Sequence, residues 1–179
     1  MDNNVKFWDL CNIEKSLGDN LNESINNIMA VLQVKKYLNG KTFYNDIDLI
    51  NILNECSSIT FRGDARMFYA LYERISELTN RELLEYVRTL IEQSRYTMGA
   101  VSPEALSYQM FSNVKSDDND ILICEADKYG PELYDLVKSS KSNYYFTIIN
   151  KQFIDLYKYI YEEFNVTFIQ SDIYQYEFT

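Results

Sequence analysis

The sequence predicts an α + α/β protein, in which an N-terminal helical domain, residues 1–97, precedes a partial α/β domain with a parallel sheet, residues 98–179. Two observations support this prediction. In the first half, apolar residues recur at intervals of three and four, which is the helical period. From residue 98 the apolar segments shorten to strand length and alternate with helical segments, and this order implies parallel strands joined by right-handed crossovers.

The first half is expected to contain several amphipathic helices. One has its apolar face around Ile25 and Leu32 and stops at Asn39-Gly40, a common C-terminal signal. A second covers "DIDLINILNEC", and a third follows "FRGDA". Thr79 and Glu82 form a capping box, which predicts the start of a fourth helix, "NRELLEYVRTLIEQSR".

Arginines recur every seven residues in this fourth helix, at Arg81, Arg88 and Arg95. A stripe that contacts phosphates would show the same spacing. However, Glu85 follows Arg81 by four residues, and Glu92 follows Arg88 by four, as in the ion pairs of a solvated helix face. We therefore interpret the arginines as part of an exposed, ion-paired face.

The second half opens with a short helix, for which Ser102 is the expected N-cap and Pro103 the first helical residue. Next comes the apolar strand "ILIC", then a helix that begins after Gly130-Pro131. The remaining segments are predicted to be a strand, a helix and a strand, in the order "YYFTII", "KQFIDLYKYIYEEF" and "VTFIQ".

The composition is that of a folded chain of 179 residues, since 46% of the residues are apolar and 15% are aromatic. No apolar run has the length of a membrane span, and the N-terminus does not resemble a signal peptide, so we expect a cytoplasmic protein. The chain has no histidine, and Cys11, Cys56 and Cys124 are far apart. These features make a metal site, a disulfide framework and histidine-dependent hydrolase chemistry improbable.

The formal net charge of −10 disfavours direct DNA binding by this chain alone, because affinity for the phosphate backbone comes from Lys and Arg. A basic protein partner is compatible with this charge. A DNA mimic is less favoured, because the acidic residues are interspersed with 17 basic ones and form no regular array.

Polar residues follow each predicted strand, at the edge where parallel sheets bind ligands. Glu125, Asp127 and Gly130 follow the first strand, Asn150 follows the second, and Asp172 follows the third. A nucleotide-binding turn would bring its backbone close to the ligand through glycines, and this turn has one. An Asp in the position of Asp172 also occurs as a turn or helix cap.

Several segments together resemble the adenine-specific DNA methyltransferases, in particular the modification subunit of type I restriction systems. The segment "KFWDLCNIEKSLGDNLNESINNIMAVLQVKKYLNG" is similar to the start of the family's helical domain. Ser102-Pro103 resembles a "TP" that precedes the family's "DPACGSG" motif, whose place here is taken by "CEADKYG" at 124–130. The segments "IIN" and "FIQSD", at 148–150 and 168–172, resemble the following two strand ends.

The resemblance implies a Rossmann-like fold and S-adenosylmethionine as the cofactor, with no metal. The residues that would contact the cofactor are Ser102, Glu125, Ala126, Asp127, Gly130, Asn150 and Asp172. Three positions depart from the family, because Cys124 replaces an Asp, Lys128 replaces a Gly, and Ile148 stands where an acid would hold the ribose. The catalytic "NPPF" or "DPPY" motif is missing, which predicts that the chain cannot methylate a flipped base by the family's mechanism.

Three interpretations remain open from the sequence. The chain is a fragment or degenerate relative of a modification subunit, and other restriction-modification subunits are its partners. Alternatively, it is a complete, non-enzymatic acidic adaptor or inhibitor that binds a basic, DNA-binding protein. The third is an α/β domain with a helical extension, whose spacing matches by chance. The chain ends at "DIYQYEFT", where relatives would continue, so we expect either further chain or pairing of the sheet edge with a partner or a second copy.

Overall fold

A computed structural model of the chain describes residues 21–41, 45–56, 65–93, 104–114 and 119–171. The chain divides into two compact units. The first contains Met1–Thr79 and Gln93–Tyr96, and the second contains Asn80–Glu92 and Thr97–Thr179. None of the described helices is long and apolar enough to cross a lipid bilayer.

The first unit contains three described helices: α1 (Leu21–Leu38), α2 (Asp46–Cys56) and α3 (Ala65–Ile75). Each of the three contacts the other two. α1 ends where the sequence predicts, because Asn39 and Gly40 both adopt positive φ values, of 44° and 85°. Among the side chains that the structure describes, the buried core of the unit comes mainly from α1 and α3, with fully buried side chains at Ile25, Ile28, Ala30, Val31, Val34, Phe68 and Leu71.

The second unit combines helices with a three-stranded sheet. Its described elements are helix α4 (Asn80–Gln93, whose last residue is grouped with the first unit), helix α5 (Glu104–Ser112), strand β1 (Asp120–Ile123), a 3-10 turn (Ala126–Lys128), helix α6 (Pro131–Ser139), strand β2 (Asn143–Thr147), helix α7 (Lys151–Ile160) and strand β3 (Val166–Ile169).

The sheet is parallel, with the strand order β1-β2-β3. The register pairs Ile123 with Phe146 and Phe146 with Phe168. Successive parallel strands are joined by α6 and α7, which confirms the predicted alternation of strands and helices and the mixed α/β class. The order also places the carboxyl ends of all three strands at one edge of the sheet.

One face of the sheet forms the core of the second unit. Tyr144 and Phe146 of β2 are buried on this face, and the ring of Phe146 makes edge contacts with Tyr161 and Phe168. The alternation of side chains along a strand places Leu122 on the opposite face, where it is 39% exposed.

Helix α4 begins at Asn80, directly after the predicted N-cap Thr79. The sequence assigned this helix to the N-terminal domain, with a boundary at residue 97. In the structure, residues 80–92 group with the sheet instead, through contacts such as that of the Asn80 side-chain amide with the carbonyl oxygen of Ile160 at 3.1 Å. The boundary at residue 97 stays a prediction that a fragment experiment can test.

Candidate functional site

The turn after β1 lies at the carboxyl edge of the sheet. It consists of Cys124 and Glu125, the 3-10 turn that begins at buried Ala126, then Tyr129 and Gly130, which is the N-cap of α6. Five of the residues that the sequence predicts to bind a cofactor are described: four lie in this turn, and the fifth, Asn150, follows β2. Ser102 and Asp172 lie outside the described residues.

Glu125 adopts a left-handed backbone conformation, with φ 49° and ψ 53°. Glycine adopts this conformation more readily than a residue with a side chain. The N–H of Glu125 donates a hydrogen bond to Thr147 Oγ1 at 3.0 Å, so the turn is anchored to the end of β2. The carboxylate of Glu125 accepts from Lys128 Nζ at 2.7 Å, and this hydrogen bond raises the pKa of the Lys128 ammonium.

Asp127 is half-buried in the same turn. Burial raises the pKa of its carboxyl, since removing the carboxylate from water disfavours the charged form, and the nearby Glu125 carboxylate raises it further. Behind the turn, the hydroxyl of buried Tyr157 donates to the carbonyl oxygen of Tyr129 at 3.2 Å. The groups of the turn are therefore bound largely to one another and to α7.

A close approach from α4 leaves little room for a side chain at Gly130. A Cβ atom at this position would stand 3.0 Å from Arg88 Cζ and 3.1 Å from Arg88 Nε. Arg88 also forms an ion pair with Glu132, whose side chain is 0% exposed. Glu132 Oε1 in turn accepts a hydrogen bond from the Gly130 N–H at 3.0 Å. The single glycine of the turn accommodates a buried guanidinium here.

The arginines of α4 have different environments. Arg81 is paired with Glu85 at 2.6 Å, as predicted, and also with Asp135 of α6 at 3.2 Å, and its side chain is 41% exposed. The prediction of a solvated face was wrong for Arg88, which is buried and pairs across to Glu132. Tertiary packing therefore determines this partner of Arg88, which the spacing of four residues to Glu92 did not indicate.

Asn150 follows β2, as predicted, and it caps helix α7. Its Oδ1 accepts from the N–H of Gln152 at 2.9 Å. The side chain of Ile148, at the position where the resemblance would place a ribose-binding acid, is completely buried. Gln170, directly after β3, donates from Nε2 to the carbonyl oxygen of Ile149 at 3.4 Å. The ends of β2 and β3 are thus joined by the chain's own hydrogen bonds.

Sequence reasoning missed three residues at this edge: Thr147, Arg88 and Glu132. Thr147 ends an apolar strand and gives no signal of its own. Glu132 has one local signal, because an acidic residue just after a proline is typical of the first turn of a helix. Nothing local indicates that Arg88 is its partner, since the two residues are 44 positions apart.

This arrangement fits S-adenosylmethionine poorly. Among the described residues, Ile148 stands where the resemblance implies an acid for the ribose, and its apolar side chain cannot accept a hydrogen bond. The N-terminal end of α6, where the ligand is expected, already holds the carboxylate of Glu132. The described part of the chain also has no group of three or more Cys, Asp or Glu side chains placed to bind a metal ion. Comparisons with protein-family models, with curated proteins and with solved structures find no match for this chain.

Proposed function

We propose that the chain is a degenerate relative of the modification subunit of a restriction-modification system, and that it acts through protein contacts instead of methyl transfer. The observation that carries this proposal is the turn after β1. Lys128 of the turn pairs with Glu125, and Arg88 pairs with Glu132 at the start of the helix that follows the turn. A turn of this kind keeps its conformation with no cofactor.

The strand order supports the same proposal. Three parallel strands in the order β1-β2-β3, joined by helices, are compatible with the first half of a Rossmann-like methyltransferase sheet. The buried, apolar Ile148 is the feature of this chain that argues against binding of the cofactor. We expect other cytoplasmic restriction-modification subunits to be the partners.

A second candidate is an acidic adaptor or inhibitor that binds a basic, DNA-binding protein. The net charge of −10 favours it, because opposite charge accelerates and orients the association of two proteins. In this interpretation the sheet requires no cofactor, so the shortage of glycines in the turn is not a loss of function. A homodimer through an open strand edge is compatible with either candidate.

The first experiment is isothermal titration of the purified chain with S-adenosylmethionine. We expect no heat of binding up to millimolar ligand. Micromolar binding that Asp172→Ala weakens would contradict the proposal, because it would show that "CEADKYG" still forms a cofactor turn. Asp155→Ala, which removes an exposed carboxylate from α7, is the matched control.

The second experiment separates the two candidates. The chain is mixed with a purified specificity subunit of a type I system and, separately, with a basic DNA-binding domain, and complexes are measured by native mass spectrometry at two salt concentrations. A degenerate modification subunit is expected to bind the specificity subunit at both concentrations. An acidic adaptor is expected to bind the basic domain, with an affinity that falls steeply as salt rises.

A further inference from the structure

The N-terminal end of α6 holds a carboxylate that belongs to the chain itself. Glu132 is the second residue of this helix, its side chain is fully buried, and its Oε1 accepts from the Gly130 N–H at 3.0 Å. The first turn of a helix carries free N–H groups and a partial positive charge, both of which attract anions. Glu132 therefore lies where an anionic group of a ligand binds in sheets of this type.

Arg88 completes the surroundings of this carboxylate. Its guanidinium pairs with Glu132 and reaches within 3.0 Å of the place where a side chain at Gly130 would begin. Glu132 Oε2 is also buried, with no hydrogen-bond partner among the described residues. A cation, a backbone N–H and a helix N-terminus thus surround one anion, which is the composition of an anion-binding site.

We propose that Glu132 is a built-in anionic ligand that closes this site from within, with Arg88 holding it in place. An external carboxylate or phosphate would have to displace Glu132 to reach the end of α6. The proposal rests on the proposed function, because it explains how the turn is kept closed in a fold that carries no cofactor.

The test is chemical rescue of the Glu132→Ala variant by acetate. Truncation to alanine removes a CH2 and a carboxylate, which acetate matches in size and charge. We expect sodium acetate to raise the Tm of Glu132→Ala in a saturable manner, by about 2 °C or more relative to sodium chloride at equal ionic strength. Equal Tm values in the two salts would overturn the proposal.

Asp135→Ala is the matched control, since it removes a carboxylate of the same helix that pairs with an arginine of the same partner helix at the surface. Its Tm should respond equally to acetate and chloride. If acetate stabilised both variants alike, the rescue would be a general salt effect and the proposal would fail.

Hydrogen exchange of the unmodified chain provides a second test in case Glu132→Ala does not fold. The Gly130 amide should exchange as slowly as the amides of β2, because Glu132 Oε1 accepts its hydrogen bond. Exchange at the rate of an exposed turn would overturn the proposal.

Titration with S-adenosylmethionine distinguishes failure of the proposed function from failure of the internal-ligand proposal. Binding of S-adenosylmethionine together with intact rescue would refute only the proposed function, whereas absence of both would refute only the internal ligand.

Discussion

The guanidinium of Arg88, on α4, forms a buried ion pair with Glu132 in the first turn of α6, while Arg81, two turns earlier, pairs with Asp135 of α6 at the surface. The side chains of the buried pair are 10% and 0% exposed, and those of the surface pair are 41% and 40% exposed. The same two helices are therefore joined by one pair in a low-dielectric environment and another in contact with water.

These two pairs should differ strongly in their effect on stability. Arg88→Met leaves a carboxylate buried without its cation, so we expect the free energy of unfolding to fall by about 3–5 kcal/mol. Arg81→Met removes a solvent-screened pair and should cost about 0–1 kcal/mol. Urea unfolding of both variants measures the difference. Equal losses would mean that Glu132 is hydrated, contrary to its burial.

The left-handed backbone at Glu125 predicts an unusual order of stability for substitutions. Glu125→Gly and Glu125→Ala both remove the pair with Lys128, so they differ mainly in their tolerance of a positive φ. We expect the glycine variant to be more stable by about 1 kcal/mol. At Asp155, an exposed residue in the middle of α7, the order should reverse, because glycine destabilises a helix interior by about 1 kcal/mol relative to alanine.

Denaturant unfolding of the four variants checks this order. A more stable alanine variant at position 125 would contradict the positive φ. The difference between the two variants at position 125 also measures the strain that a side chain causes at this positive φ, in a turn, "CEADKYG", that contains one glycine.

The pKa of Asp127 predicts a dependence of stability on pH. Since burial raises this pKa in the folded state, the folded protein holds the proton more tightly than the unfolded chain does. The corresponding stability is fully present below the unfolded pKa, about 3.9, and is lost as the pH rises through the higher folded pKa. Asp127→Asn should remove this loss and be the more stable protein near neutral pH.

The measurement is the difference in the free energy of unfolding between Asp127→Asn and the unmodified chain, from about pH 4 to neutral. Taking the difference cancels the contributions of other carboxylates. We expect the asparagine variant to gain relative stability as the pH rises. A difference that stays constant with pH would show that the carboxyl of Asp127 is well hydrated in the folded state.

The parts of the fold that depend on local sequence were predictable. The short apolar segment "YYFTII" indicated β2, and the Asn39-Gly40 signal located the end of α1. The site was predictable only in its position at the carboxyl edge of the sheet. The burial of Arg88 was not, because Glu92 lies four residues away along the same helix and the actual partner, Glu132, is 44 residues away. Residue type likewise gave no indication of the positive φ at Glu125, which tertiary contacts such as the bond to Thr147 support.

The grouping of α4 with the sheet predicts which fragments fold. A fragment of residues 98–179 lacks Arg88, so Glu132 would be buried without its cation, and it also lacks the contact of Asn80 with Ile160 at the end of α7. A fragment of residues 80–179 keeps both contacts. We expect the longer fragment to unfold cooperatively in urea and the shorter one to show no cooperative transition.

Adding Glu132→Met to the shorter fragment removes the unpaired charge and should restore part of its stability, because a buried ion can be replaced by an apolar side chain of similar volume. Equal midpoints for the two fragments would place the domain boundary near residue 97 after all, with α4 dispensable to the sheet.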